Sequence, residues 1–178
     1  MFVLINLNLT TESKMTTRKT KLIKPLEGVI LEPNVEKFTE ARLAFGQQEK
    51  AAQALGFANQ TIISNMETER VKLTPRNYSL MLLLAQQHDN YALKARSTAK
   101  SVDDFIIIPK EGLDNIAGYL VELRGAANLT QEELAEVLDC SELTIRSYEN
   151  GLGKASERFY TTMMLIFNKH PYFYLEKK

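Results

Sequence analysis

The chain is poor in cysteine, has no net charge and holds no long apolar run. Its one cysteine, Cys140, excludes an intrachain disulfide and so the cross-linked scaffolds of small secreted domains. The 22 lysines and arginines are balanced by 22 aspartates and glutamates, and the isoelectric point is about 6.8. The positive excess that drives indiscriminate binding to polyanions is therefore missing. The apolar start MFVLINLNL has no preceding positive charge and is too short to span a bilayer or to read as a secretory signal. A cytoplasmic protein with no membrane partner is expected, and Met15, followed by TTRKTKLIK, is an alternative start. No paired acid and base, phosphate loop or set of metal ligands is legible. Two histidines and one cysteine are too few for a metal site. Neither an enzyme nor a cofactor is expected.

What the chain does have is a repeat at a spacing of 82. The first copy reads RLAFGQQEKAAQALGFANQTIISNME and then TPRNYSLMLLLAQQH; the second reads RGAANLTQEELAEVLDCSELTIRSYE and then SERFYTTMMLIFNKH. Arg42, Ile63, Glu67, Arg76, Tyr78, Met81, Leu83 and His88 recur as Arg124, Ile145, Glu149, Arg158, Tyr160, Met163, Leu165 and His170. The register slips to 83 for Gln48 and Leu55 against Gln131 and Leu138, then recovers where GFANQ replaces DCSE. Repeated units of this size are structural units in their own right. Each copy is roughly 60 residues, near the size at which a core alone is marginal, so the copies are expected to pack on each other or on a second chain. Apolar runs precede both, Val29 to Leu31 before Pro33 and Phe105 to Ile108 before Pro109. They are candidate short strands that pair with each other.

The helical signals are local and repeated. Asn34 is a candidate N-cap, with Val35, Phe38, Arg42 and Phe45 following at helical spacing. Helix two of the first copy spans Gln48 to Leu55 and stops at Gly56; helix three runs from Asn59 or Gln60 to Glu67. Thr74 caps a fourth helix with Pro75 at its first position, and Leu80, Leu82, Leu83 and Leu84 make that helix strongly apolar. In the second copy, helix one is expected from Leu113 to Arg124, helix two from Gln131 behind Thr130, helix three from Glu142 behind Ser141 and the last behind Ser156. Thr130 with Glu133 makes a capping box. The aromatic run Tyr172, Phe173 and Tyr174 follows.

LTQEELAEVLDCSELTIRSYENG resembles the helix-turn-helix of Cro/CI-type (XRE-like) phage and bacterial regulators. In that pattern Leu134, Ala135, Leu138, Cys140 and Ile145 form a buried wedge, with Ala135 small where two helices cross. The remaining face of helix three enters the major groove, which admits one helix. The resemblance implies an all-α fold of two tandem lambda-repressor-like helix-turn-helix domains, and a sequence-specific regulator of double-stranded operator DNA that represses by occlusion. It places Gln131 at a phosphate and Glu142, Leu143, Arg146 and Ser147 toward base edges, with Thr144 among the DNA-binding residues and Asn150, Gly151 and Lys154 near the backbone. Arg146 forks onto a guanine, Leu143 meets a thymine methyl, and Glu142 either accepts from a cytosine amino group or serves the helix dipole. In the first copy the corresponding residues are Gln48, Gln60, Thr61, Ser64 and Asn65, with Arg70 and Lys72 as backbone partners. That copy departs from the pattern, with Met66 in place of an aromatic and no glycine after Glu67. It is either a second reading head or a copy retained for packing. Arg42 with Glu67 and Arg124 with Glu149 match a family pairing that ties helix one to the end of helix three.

These readings divide the chain into a basic arm (1–28), a first helix-turn-helix domain (29–93), a linker (94–104) and a second domain (105–178). Arg18, Lys19, Lys21 and Lys24 make the arm either a solvated tail or a phosphate-contacting segment. The apolar fourth helices are candidates for pairing two chains as a homodimer. The histidines at their ends suit a charged imidazole at a helix C-terminus, while Tyr78 and Tyr160 read as core or interface, Cys140 as a small hydrophobe, and Glu132, Glu133 and Glu136 as a solvated face. The ending HPYFYL also resembles helix-turn-helix antitoxins of type II toxin-antitoxin operons. That likeness implies an alternative, an antitoxin or anti-repressor whose partner is a toxin or other small protein met through the acidic second half or the aromatic tail.

Overall fold

Side-chain caps start most of the helices of the computed structural model, which describes residues 23–97, 107 and 115–178. The Asn34 side chain accepts from the Lys37 amide and opens α1, Val35–Phe45. Helices α2, Gln48–Ala54, and α3, Thr61–Glu67, follow. Thr74 accepts from Asn77 with Pro75 in the first turn of α4, Pro75–Leu84. Strand β1 is Tyr91–Ala95. In the second half, Asn115 caps α5, Ile116–Ala127. Thr130 and Glu133 close their capping box at α6, Gln131–Val137. Ser141 caps α7, Glu142–Glu149, and Ser156 caps α8, Glu157–Ile166. Strand β2 is Phe173–Lys177. Each such cap is worth about 1 kcal/mol. Among the described residues there are eight helices and two strands, and each half runs helix, helix, helix, helix, strand.

Helix α5 lies three residues later than the expected 113–124. Its start is fixed by the Asn115 cap, and it continues through Gly125, Ala126 and Ala127 until Asn128 adopts a left-handed backbone, φ 56° and ψ 43°. Asparagine tolerates that conformation where most residues do not.

Among the described residues the strands fall after the helices of each half. Val29 to Leu31 forms no strand, because its backbone groups are taken by side chains of the same half. The Leu31 amide donates to Ser79 Oγ at 2.8 Å, and His88 Nε2 lies 2.9 Å from the Val29 carbonyl. Of the second run only Ile107 is described, as a bend; the rest lies outside the described residues, as do residues 1–22 of the basic arm and residues 98–104 of the linker. The described end of the arm is docked, since Ile23 and Leu26 donate backbone hydrogen bonds to Ala126 and Ile166. Strands β1 and β2 pair antiparallel, Tyr91 opposite Lys177, Leu93 opposite Leu175 and Ala95 opposite Phe173. The ladder carries the first half two residues past the boundary expected at 93, and it takes up the aromatic tail. Phe173 and Leu175 are buried, so the inner face of that tail is not free for a partner.

One core unites the chain. Every residue from Asn77 to Leu83 in α4 and from Phe159 to Ile166 in α8 is buried within a single molecule. The apolar surface of the fourth helices, expected to pair two chains, is already covered within one chain. Tyr78 and Tyr160 belong to this core.

The histidines behind these helices differ from expectation as well. Both are buried, and burial pulls the His88 imidazole below its ordinary value. Nδ1 of His88 accepts from the Asn90 amide, and Nδ1 of His170 accepts from the Tyr172 and Phe173 amides, each at 3.2 Å. An imidazolium has a donor where these rings accept. Each ring clasps the turn into its strand through Nδ1, and burial disfavours the charged form of His88.

Two arginines of equivalent position cross between the halves. Arg76 donates to the Leu138 carbonyl at the end of α6 at 2.8 Å, and Arg158 donates to the Leu55 and Gly56 carbonyls at the end of α2 at 3.3 and 2.8 Å. Each satisfies acceptors that a helix end leaves open. The Arg158 guanidinium also sits 4.1 Å from the centre of the Phe57 ring, and that of Arg76 is 5.1 Å from the Phe159 ring.

Leu175→Ala tests the importance of the ladder. Removing a buried leucine side chain costs ~2 to 5 kcal/mol, so the urea midpoint of the full chain should fall markedly. An unchanged midpoint would mean that the strands contribute little to holding the halves together.

Candidate nucleic-acid interface

The second half builds a helix pair on a small wedge. Leu134, Ala135, Leu138 and Ile145 are buried, and Cys140 is half-buried with burial pushing its thiol up. With Ile145 inward, the opposite side of α7 is left open. Leu143 is 71% exposed, and Glu142 and Arg146 are exposed beside it. These two charges pair at 2.6 Å across one turn, so Arg146 is oriented along the helix by Glu142. Thr144 and Ser147 are half-buried. The Thr144 hydroxyl lies 2.8 Å from Ser141 Oγ at the cap. Ser147 lies under the following loop, where a Cβ on Gly153 would come within 2.7 Å of its Oγ and 2.9 Å of the Tyr148 ring. A side chain at 153 would force Ser147 or Tyr148 to shift, a closeness that sequence spacing did not reveal. Gly151 has φ +68°, a conformation glycine adopts at little cost. Asn150, Leu152 and Lys154 stand exposed on the loop, Leu152 at 83%.

What holds α7 is a three-residue tie. The Arg124 guanidinium donates to both Glu149 oxygens at 2.7 and 3.1 Å, and Gln131 Nε2 donates to Glu149 Oε2 at 2.6 Å. Helix α5, the start of α6 and the end of α7 thus meet at one carboxylate. The first half repeats the tie, with Arg42 Nε 2.6 Å and Gln48 Nε2 2.5 Å from the two Glu67 oxygens. The ion pairs follow the expected spacing. The glutamines sit at the expected helix starts, and their amide nitrogens turn toward a glutamate. Burial pushes the Glu149 carboxyl up, but the hydrogen bonds from Arg124 and Gln131 outweigh this and hold it below the ordinary value. The Glu149 bonds raise Arg124 above an ordinary arginine.

In the first half, Gln60 and Thr61 are exposed at the start of α3, and Ser64 and Asn65 are half-buried. The Asn65 carbonyl accepts from the Val71 amide at 3.0 Å. Arg70 and Lys72 are exposed on the loop that follows. Sequence reasoning noticed Arg76 and Arg158 as repeated identities without seeing that they bridge the halves; a cation retained at the same place in each unit was the available signal.

Residues 116–165 match the model of a family described as a helix-turn-helix domain. The match spans α5 through all but the last residue of α8, so the likeness to a helix-turn-helix domain covers this segment of the chain. The matched span does not reach the first half. No curated protein and no solved structure matches the chain. Among the described residues no helix is long and apolar enough to cross a membrane, and no group of three or more histidine, cysteine, aspartate or glutamate side chains is placed to hold a metal.

The tie predicts both a stability loss and its pH dependence. Arg124→Ala leaves the half-buried Glu149 without its cation, held by Gln131 alone, and should cost about 3 kcal/mol. Because the folded pKa of Glu149 is depressed, its contribution is present above the unfolded glutamate value of about 4.3 and is lost as pH falls through the folded value. Glu149→Gln should therefore lower the melting temperature at neutral pH, with the gap to the native chain closing as the melts are taken below about pH 4. A gap independent of pH would show that the carboxylate charge plays no part.

Proposed function

We propose that the protein is a sequence-specific DNA-binding regulator, a cytoplasmic non-enzymatic repressor that occludes a promoter. In this reading residues 29–93 and 105–178 act as tandem helix-turn-helix domains. The observation that carries it is the open face of α7: Glu142, Leu143 and Arg146 outward, Ile145 inward, on a helix locked to α5 and α6 inside the matched span. Such a face offers a guanidinium to guanine, a carboxylate to a cytosine amino group and an apolar contact to a thymine methyl. Asn150 and Lys154 supply backbone contacts, and so do the second N–H groups of Gln131 and Gln48. Thr144 and Ser147 act by holding the cap and the loop. In the first half Gln60 and Thr61 meet the groove, Ser64 and Asn65 flank them, and Arg70 and Lys72 meet phosphates.

The two open faces are chemically unlike, amide and hydroxyl on α3 against charged and apolar on α7. Two unlike half-sites follow from that difference. The acidic face of α6, Glu132, Glu133 and Glu136, is exposed and repels phosphate. Binding to random DNA should be weak, and specific contacts should decide. The competing reading, an antitoxin or anti-repressor contacting a protein partner through the aromatic tail, loses support because Phe173 and Leu175 face the core from β2.

Selection of bound duplexes from a random pool by the full chain, followed by gel shifts across salt, tests this. Arg146→Ala should weaken binding to the selected site by ~1 to 3 kcal/mol and relax preference at one base pair. An equal loss on selected and random duplexes would reassign Arg146 to a phosphate. Failure to enrich any sequence would end the DNA reading.

A further inference from the structure

The contacts between the halves come in exchanged pairs. Arg76 reaches the end of α6, and Arg158, 82 residues later, reaches the end of α2. The Arg96 amide donates to the Tyr172 carbonyl at 2.7 Å, and the Lys178 amide donates to the Asn90 carbonyl at 3.0 Å. Arg96 Nε donates to the His170 carbonyl at 3.0 Å, and Lys178 Nζ donates to the His88 carbonyl at 2.7 Å. Adding 82 to Arg76, His88, Asn90 and Arg96 gives Arg158, His170, Tyr172 and Lys178. The strand register obeys the same rule, since Tyr91 opposite Lys177 exchanges into Phe173 opposite Ala95, and Leu93 faces its own counterpart Leu175.

A set of contacts that maps onto itself when the halves are exchanged is the mark of a two-fold axis. A head-to-tail arrangement gives each surface a different partner. Were the halves related by translation, Arg76 reaching forward into the second half would leave Arg158 reaching away from the first. Both arginines instead point back across the same interface. The axis passes between Leu93 and Leu175.

We infer that one chain is by itself the two-fold reader, occupying a single operator whose two half-sites are unlike in sequence and inverted in orientation. This rests on the reading of α3 and α7 as the DNA-contacting helices. Two-fold symmetry in a protein is met on B-DNA by half-sites that run in opposite directions. The internal axis imposes that inversion, and the unlike faces of α3 and α7 forbid a perfect palindrome. No second chain is needed to complete the site, because the contacts that would join two subunits are made within one.

The test uses the full chain and duplexes carrying the site enriched from the random pool. Sedimentation should give one chain per duplex at protein concentrations well above the dissociation constant. Reversing one half-site in place turns the inverted arrangement into a direct one and should lower affinity by about 100-fold or more, since several base pairs are misread at once. Replacing that half-site with an inverted copy of the other should also weaken binding. The inference is overturned by equal affinity for the direct arrangement, by two chains per duplex, by tighter binding to the perfect palindrome, or by a selected site with one half only. Each of these leaves the DNA reading standing. A pool that yields no enriched site overturns both.

Discussion

Burial of α4 and α8 is the constraint on which the rest of the structure depends. Each is buried along most of its length, and the apolar side chains it carries must be surrounded. Three short helices cannot surround it, because a unit of roughly 60 residues buries too small a fraction of its surface. The remaining cover comes from the two strands, from the segment that enters at Ile23 and from the other half. The arginines that cross between halves follow from the same need. A helix end brought into a shared interface carries open carbonyls, and Arg76 and Arg158 close those of α6 and α2.

Rigidity at the open face of α7 has a different origin. Helix α7 spans eight residues, too few to be stable by propensity alone. It is fixed at one end by Ser141, at the middle by Ile145 and at the other end by Glu149. The carboxylate gathers Arg124 and Gln131 so that a shift of any one helix strains bonds to the other two. Glu142 and Arg146 are then presented from a frame that does not have to be ordered when a ligand arrives, and ordering costs are a large part of what weakens binding. The same tie in the first half, built on Glu67, keeps α3 in an equivalent frame although its exposed residues differ.

Much of this was legible in the sequence, for local reasons. Caps at Asn34, Thr74, Thr130, Ser141 and Ser156 are read within three residues of chain, and the fixed spacing of Arg124 to Glu149 was repeated by Arg42 to Glu67. The wedge around Ile145 was read through the resemblance of LTQEELAEVLDCSELTIRSYENG to the Cro/CI-type pattern. The strands were not anticipated, because Tyr91 to Ala95 and Phe173 to Lys177 are only five residues each and acquire meaning only when paired. The apolar run Val29 to Leu31 was a better strand by composition, yet its backbone partners turned out to be Ser79 and His88. Pairing across 80 or so residues is a tertiary fact. So is the tautomer of a buried histidine, which is set by which amides lie nearby.

The antiparallel ladder has one consequence for how the molecule is made. Strand β1 is synthesised long before β2, the last of the described elements to leave the ribosome, so for most of translation it presents an unpaired edge. Its hydrogen bonds to Phe173–Lys177 are indifferent to whether that strand belongs to the same chain. What favours the intramolecular partner is the local concentration set by the intervening chain, against the concentration of neighbouring chains. In a crowded preparation the same ladder formed reciprocally between two molecules would satisfy every bond described above, giving an exchanged dimer whose halves are each assembled from two polypeptides.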